Sequence, residues 1–304
     1  MQYDISVIIE WENVLLAEQE RCFRMLERLR KQVLESTRSV EILVMFNPGQ
    51  VDRTIIEAAI GRYLTTPAAD GRRLACRIEA GPDLHYYQLK NLGIRLAHGE
   101  VIAFLDSDVI PEAGWLPALT EPFWSNPEIQ VLSGHTYLDP KDLISRAFAL
   151  GWFFPLRSSE PALMVGSRHF FANNLAFRRP VLEAHPFPDM DEGMTRGACS
   201  MLKAALARDG IVIWGNSAAQ TSHPAPGTQR PGPLRGAGAG PWTRLGHGSR
   251  SRGSPALAYR PAGPAQIRFQ ALAHVHAHIE IWPRDRFAHL ADAFGGIDHG
   301  LVLS

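Results

Sequence analysis

Apolar and polar positions along this chain alternate between two periods. Ile5-Ser6-Val7-Ile8-Ile9 is a nearly unbroken apolar run of strand length, followed by the polar loop of residues 10–13. Over residues 15–34 the apolar side chains recur at helical spacing, with Phe23, Leu26 and Leu29 on one face and Arg and Glu on the other. Residues 40–46 predict a second strand, closed by the turn signal Asn47-Pro48-Gly49. A short helix over 55–63, a third strand over 74–78 and a helix over 86–97 follow. Val101-Ile102-Ala103-Phe104-Leu105 has no polar alternation, as in a strand buried on both faces. Residues 129–134 predict a further strand, 173–177 an extended segment and 200–208 a helix. Strand and helix in turn, joined by short connections, predict an α/β fold with a doubly wound, mostly parallel central sheet and flanking helices.

The pattern lapses near residue 225. From there to about residue 264 Gly, Pro, Arg and Ser dominate, a composition that buries too little surface to offset its ordering entropy. The expected division is therefore a folded domain over 1–227 and a Gly/Pro/Arg-rich linker with an irregular C-terminal tail over 228–304. His274, His276 and His278 could line one face of a strand in that tail and bind metal, or serve a surface or core role.

Composition narrows the partners. The formal charge is +0 with 20% charged residues, which predicts no nucleic-acid partner. Cys22, Cys76 and Cys199 form neither a zinc spacing nor a disulfide framework and suit a reducing compartment. Met1 leads straight into a strand-like segment, and no run reaches the roughly 18 apolar residues of a spanning helix, so a cytoplasmic location is expected. Residues 143–156, containing Trp152-Phe153-Phe154, predict a core or interfacial helix, and peripheral association with the inner face of the membrane is compatible with it.

Candidate chemistry centres on Asp106-Ser107-Asp108, directly after the most apolar run. Two carboxylates at the carboxyl end of a buried strand need a cation or dense hydrogen bonding to remain ionised. Ligands of open α/β sheets bind beyond that end, so a divalent ion holding a phosphate suits the place. The alternative is an acidic loop capping a helix that begins near Pro111.

In their order along the chain these features resemble the family 2 glycosyltransferases, inverting enzymes on the GT-A nucleotide-sugar-binding fold. The stretch from Ser6 to Asn13 resembles the first strand and the loop that contacts the nucleotide base. Lys90-Asn91-Leu92-Gly93 resembles the basic-Asn-x-Gly helix that runs into the D-x-D strand, and Asp106-Ser107-Asp108 resembles the D-x-D motif itself. Asn173-Asn174-Leu175-Ala176-Phe177-Arg178-Arg179 is similar to the strand flanking the acceptor site, and His223-Pro224 to the end of the catalytic domain.

The resemblance spans about residues 4–227. It implies a hexosyltransferase that moves a sugar from a nucleoside-diphosphate sugar to a hydroxyl of a glycan or lipid-linked acceptor, as in polysaccharide biosynthesis. It also implies inversion and a divalent cation, Mn²⁺ or Mg²⁺. On this reading Asp108 binds the ion, Asp106 faces the ribose or the ion's waters, and His223 is a further ligand. Glu10 and Asn13 meet the base and ribose, and Lys90 and Arg95 face the diphosphate.

The chain departs from the family where the catalytic base is expected. An acidic pair normally follows a glycine at the start of the late helix, and here Ala198 and Cys199 follow Gly197. Asp191 is the substitute candidate, ahead of Asp189 and Glu192, unless these acids only solvate a loop or cap the next helix. A catalytically impaired nucleotide-sugar-binding or scaffold protein on the same fold is the competing reading. A P-loop hydrolase is excluded, because no G-x-x-x-x-G-K-[ST] occurs.

Overall fold

The runs that lack polar alternation become the parallel centre of the sheet. β1 (Tyr3–Glu10) pairs with β2 (Val40–Phe46) on one side and β4 (Gly99–Asp106) on the other, both parallel, and β3 (Leu74–Ala80) extends the sheet beyond β2. The computed structural model describes residues 3–13, 19–64, 74–140, 154, 157–158, 162–167, 169–189 and 197–224. The expected helix over 143–156 falls outside these apart from Phe154, as do the tail over 228–304 and its three histidines.

Beyond β4 the sheet changes direction. β8 (Asn174–Arg178) runs antiparallel to β4 and to β6 (Val131–Asp139), and β6 lies parallel to β9 (Ile213–Pro224). Two short strands, β5 (Ile110–Pro111) and β7 (Leu163–Val165), pair antiparallel with β9. The strand order is β3-β2-β1-β4-β8-β6-β9-β5. Pro111 thus belongs to a strand, and the helix expected beside it begins four residues later.

Helices cover both faces, as the period change predicts. On one face Ile5, Val7 and Ile9 pack with Leu26 and Leu29 of α1 (Gln19–Glu35), with Ile56 of α2 (Arg53–Tyr63) and with Trp115 of α4 (Trp115–Thr120). The short α5 (Pro122–Ser125) adds Phe123. On the other face Ile8 and Phe104 pack with Leu89 of α3 (Tyr86–Leu96), Leu182 of α6 (Arg179–Ala184) and Leu202 of α7 (Ala198–Arg208). Burying side chains of this size contributes about 1.5–3 kcal/mol each.

The Lys-Asn-x-Gly pattern in α3 has a distinct physical reason at each position. A Cβ on Gly93 would lie 2.7 Å from Ile8 Cγ2, so only glycine lets α3 seat this closely on β1. Asn91 donates from Nδ2 to the Phe187 carbonyl at 2.8 Å and accepts the Phe187 amide at 3.0 Å. Phe187, just beyond α6, is thereby fastened to α3. Seated in this way, α3 carries Lys90 inward beneath the end of β4.

Candidate functional site

β1 and β4 end together, with Glu10 and Asp106 as register partners, so both carboxyls stand at the carboxyl edge of the sheet. Asp106 is buried and already supplied with donors. Lys90 Nζ lies 2.7 Å from Oδ1, the Tyr86 hydroxyl donates to Oδ2 at 2.7 Å, and Asn13 Nδ2 donates to Oδ2 at 3.3 Å. Glu10 Oε2 accepts the amides of Glu12 at 2.9 Å and Asn13 at 3.4 Å, while Oε1 is buried with no partner. Burial, and next to it the charge of Asp106, raises the Glu10 carboxyl well above the ordinary range. Through Oε2 Glu10 shapes the loop that follows β1.

Asp108 lies two residues beyond Asp106 in a turn closed by the Val109 amide, which donates to the Asp106 carbonyl at 3.2 Å. Arg21 reaches in from α1. Its Nε donates to the Asp108 carbonyl at 2.5 Å, and its Nη2 donates to the Ser222 carbonyl at 2.5 Å and to Ser222 Oγ at 3.1 Å. That fork ties the acidic turn to β9 and brings His223 beside Asp108, with Nε2 3.9 Å from Oδ2. His223 Nδ1 sits 2.8 Å from the Pro224 carbonyl. A carbonyl only accepts, so Nδ1 carries the proton and Nε2 presents a lone pair.

The electrostatics of the pair are unusual. Burial foremost, then the neighbouring Asp106 charge, pushes the Asp108 carboxyl up to about 7 against the pull of Arg21. Burial also lowers His223 to about 4, which leaves the imidazole neutral at physiological pH. Among the described residues Asp108 Oδ1 is buried with no hydrogen-bond partner. One carboxylate and one imidazole with a lone pair facing it suit a divalent ion whose remaining positions go to phosphate oxygens and water. Among the described residues no three His, Cys, Asp or Glu side chains form a cluster able to hold an ion by themselves.

The fold brings together Glu10, Asn13, Lys90, Asp106, Asp108 and His223. Lys90, expected at the diphosphate, is instead fully buried with its ammonium on Asp106, inward of any surface a phosphate would reach. Arg95 is exposed on α3. Asp191 and Glu192 lie outside the described residues, and Asp189 is exposed. Cys199, the second residue of α7, has its Sγ 3.6 Å from the Tyr87 hydroxyl, and burial pushes its thiol up, so it offers no thiolate base.

Three participants escaped the sequence reading. Arg21 carries no local signal, because its partner Asp108 is 87 residues away. Tyr86 reads as an ordinary helix start. Glu12 reads as loop polarity, yet its Oε2 accepts the Tyr86 amide at 2.8 Å and caps α3 from the β1 side.

Residues 83–185, which include α3, Asp106-Ser107-Asp108 and β8, match Glycosyl transferase family 2. No curated protein matches the chain. Among solved structures it is similar to the mannosyltransferase PcManGT from Pyrobaculum calidifontis in complex with GDP-Man and Mn²⁺, at 19% identity and a TM-score of 0.50 over 75% of this chain and 59% of that one. It is also similar to S. aureus TarS 1-349 in complex with UDP-GlcNAc, at 16% identity and a TM-score of 0.52 over 74% of this chain and 60% of that one. The chain thus spans about three fifths of the length of these structures. At such identities the likeness is one of fold, and that fold is GT-A. No described helix is long and apolar enough to cross a membrane. The family 2 match thus lies on the segment that carries the acidic turn, within a sheet of the GT-A fold.

Proposed function

We propose that the chain is a metal-dependent, inverting hexosyltransferase that moves a sugar from a nucleoside-diphosphate donor to a hydroxyl of a glycan or lipid-linked acceptor. The observation that carries this reading is the unpartnered Asp108 Oδ1 at the end of β4, with the lone pair of His223 facing the same carboxyl. These two side chains would hold the ion, and a histidine ligand favours Mn²⁺ over Mg²⁺. When bound, the ion supplies charge stabilisation for the departing diphosphate. The GDP-Man and Mn²⁺ held by PcManGT and the UDP-GlcNAc held by TarS support a donor of this class.

The chain's own residues do the rest. Asn13, held to Asp106 at 3.3 Å, faces the nucleoside, and Glu10 fixes the loop that presents it. The acceptor hydroxyl attacks the anomeric carbon from the side opposite the leaving diphosphate. Its proton passes to a carboxylate, for which we assign Asp191, four residues after Phe187 in sequence.

A second reading rests on Ala198 and Cys199 at the start of α7: a protein that binds the donor without transferring it. Release of UDP or GDP from UDP-GlcNAc or GDP-mannose with Mn²⁺, measured on wild type, Asp108→Asn and Asp191→Asn, separates the two. Turnover lost in both variants supports transfer with Asp191 as base, whereas donor binding with no turnover in the wild type favours the second reading.

A further inference from the structure

The first acidic residue of the motif is neutralised from within the protein. Lys90 has no solvent exposure, and its ammonium sits 2.7 Å from Asp106 Oδ1, 4.6 Å from the centroid of the Tyr86 ring and 5.4 Å from that of Phe104. One ion pair and two aromatic faces account for this cation. Asp106 is just as enclosed, with Tyr86 and Asn13 both donating to Oδ2. Asp108 is the opposite case, since its Oδ1 is buried with no donor. Two carboxylates two residues apart therefore have different occupations.

The surroundings of Asp106 lead to the nucleoside loop. Residues 11–13 are held by the Trp11 amide on the Met45 carbonyl, by Glu10 Oε2 on the amides of Glu12 and Asn13, by Asn13 Nδ2 on Asp106, and by Glu12 on the Tyr86 amide and the His85 ring. The Tyr86 amide belongs to α3, which also supplies Lys90 and the Tyr86 hydroxyl to the Asp106 that Asn13 grips. A buried charge held by a lysine and a tyrosine of one helix is a fixed post on which a loop can be set.

We propose that Lys90 and Tyr86 are positioning residues that act through Asp106 to lock residues 11–13, while the divalent ion rests on Asp108 and His223 with Asp106 outside its ligand set. The ion's place rests on the donor-site reading above, and the locking of the loop does not. Lys90 is then a strut, and its removal loosens nucleoside recognition without removing the metal.

The test uses the full chain carrying Lys90→Met, Asp106→Asn, both together, and Tyr86→Phe. Each single charge removal strands its partner in the interior and is expected to lower the unfolding midpoint sharply, and the double variant recovers most of it. In the metal-free double variant, amide exchange over residues 10–13 is expected to run at least about tenfold faster than in wild type, with β2 unchanged. Tyr86→Phe gives a smaller increase at the same residues. Mn²⁺ alone, titrated by its paramagnetic resonance signal, is expected to bind the double variant within about threefold of wild type. Unchanged exchange over residues 10–13 overturns the positioning role, and a fall in Mn²⁺ affinity of about tenfold or more places Asp106 among the ligands. Wild type that takes up neither Mn²⁺ nor UDP or GDP removes the donor-site reading and the metal half of the proposal with it, and the exchange measurement still decides the strut.

Discussion

At the scale of single residues, the informative contrast is between Asp108 and His223, whose protons have changed places relative to the unfolded chain. Asp108 is raised from 3.8 to about 7, so its contribution to metal-free stability is full below about pH 4 and is lost as pH rises through about 7. His223 is lowered from 6.5 to about 4, so its contribution is present above about pH 6.5 and is lost as pH falls through about 4. Between these limits the two slopes oppose each other, and the pair leaves stability nearly flat. Metal uptake does not share that cancellation, because an ion must displace the proton on Asp108 while His223 is already free of one. Mn²⁺ affinity is expected to rise about tenfold per pH unit between about pH 4.5 and 6.5 and to level off above about 7. Calorimetry in two buffers of different ionisation enthalpy checks this: close to one proton released near pH 6 and none near pH 8.5. A pH-independent affinity contradicts it. The acidic pair itself was legible in sequence, since two carboxylates after an unbroken apolar strand stand out in any context. Arg21 was not, because a side chain that works 87 residues away leaves no local spacing to read.

At the scale of elements, the stretch of sheet from β4 to β9 depends on close packing around Asn174. This buried amide accepts from Trp115 Nε1 at 2.9 Å and donates to the Ala219 carbonyl at 2.9 Å and Thr221 Oγ1 at 3.2 Å, joining α4, β8 and β9. A Cβ at Gly134 would fall 2.3 Å from Asn174 Oδ1. Gly134→Ala is therefore expected to displace that amide and cost about 2 kcal/mol, read as a lower midpoint in urea with an unchanged slope. An unchanged midpoint would mean that β6 yields at no cost. β1, β2 and β4 were legible because each is largely buried on both faces and reads as near-continuous apolar sequence. β9 was not, since Asn216, Ser217, Thr221 and Ser222 give it a polar character. Its polar groups are matched by distant partners, as in Thr136 Oγ1 to Thr221 Oγ1 at 2.9 Å, and no window of local sequence contains both members.

At the scale of the whole molecule, the sheet reversal at β8 separates two kinds of work. The parallel half from β3 to β4 carries the loop of residues 10–13 and the acidic turn, and the mixed half brings His223 to them along the 12 residues of β9. The site exists only where the halves meet, held by the Arg21 fork between Asp108 and Ser222. Alternating strands and helices made the fold class readable from sequence, while the order of β8, β6 and β9 follows from pairings between distant segments. The central claim, a donor site whose ion rests on Asp108, is tested most directly by calorimetric titration of UDP and GDP, with and without Mn²⁺, into wild type and Asp108→Asn. Binding of one nucleotide that requires Mn²⁺ in wild type and weakens by about tenfold or more in the variant is the expected result. Binding that ignores both the metal and the substitution would contradict it.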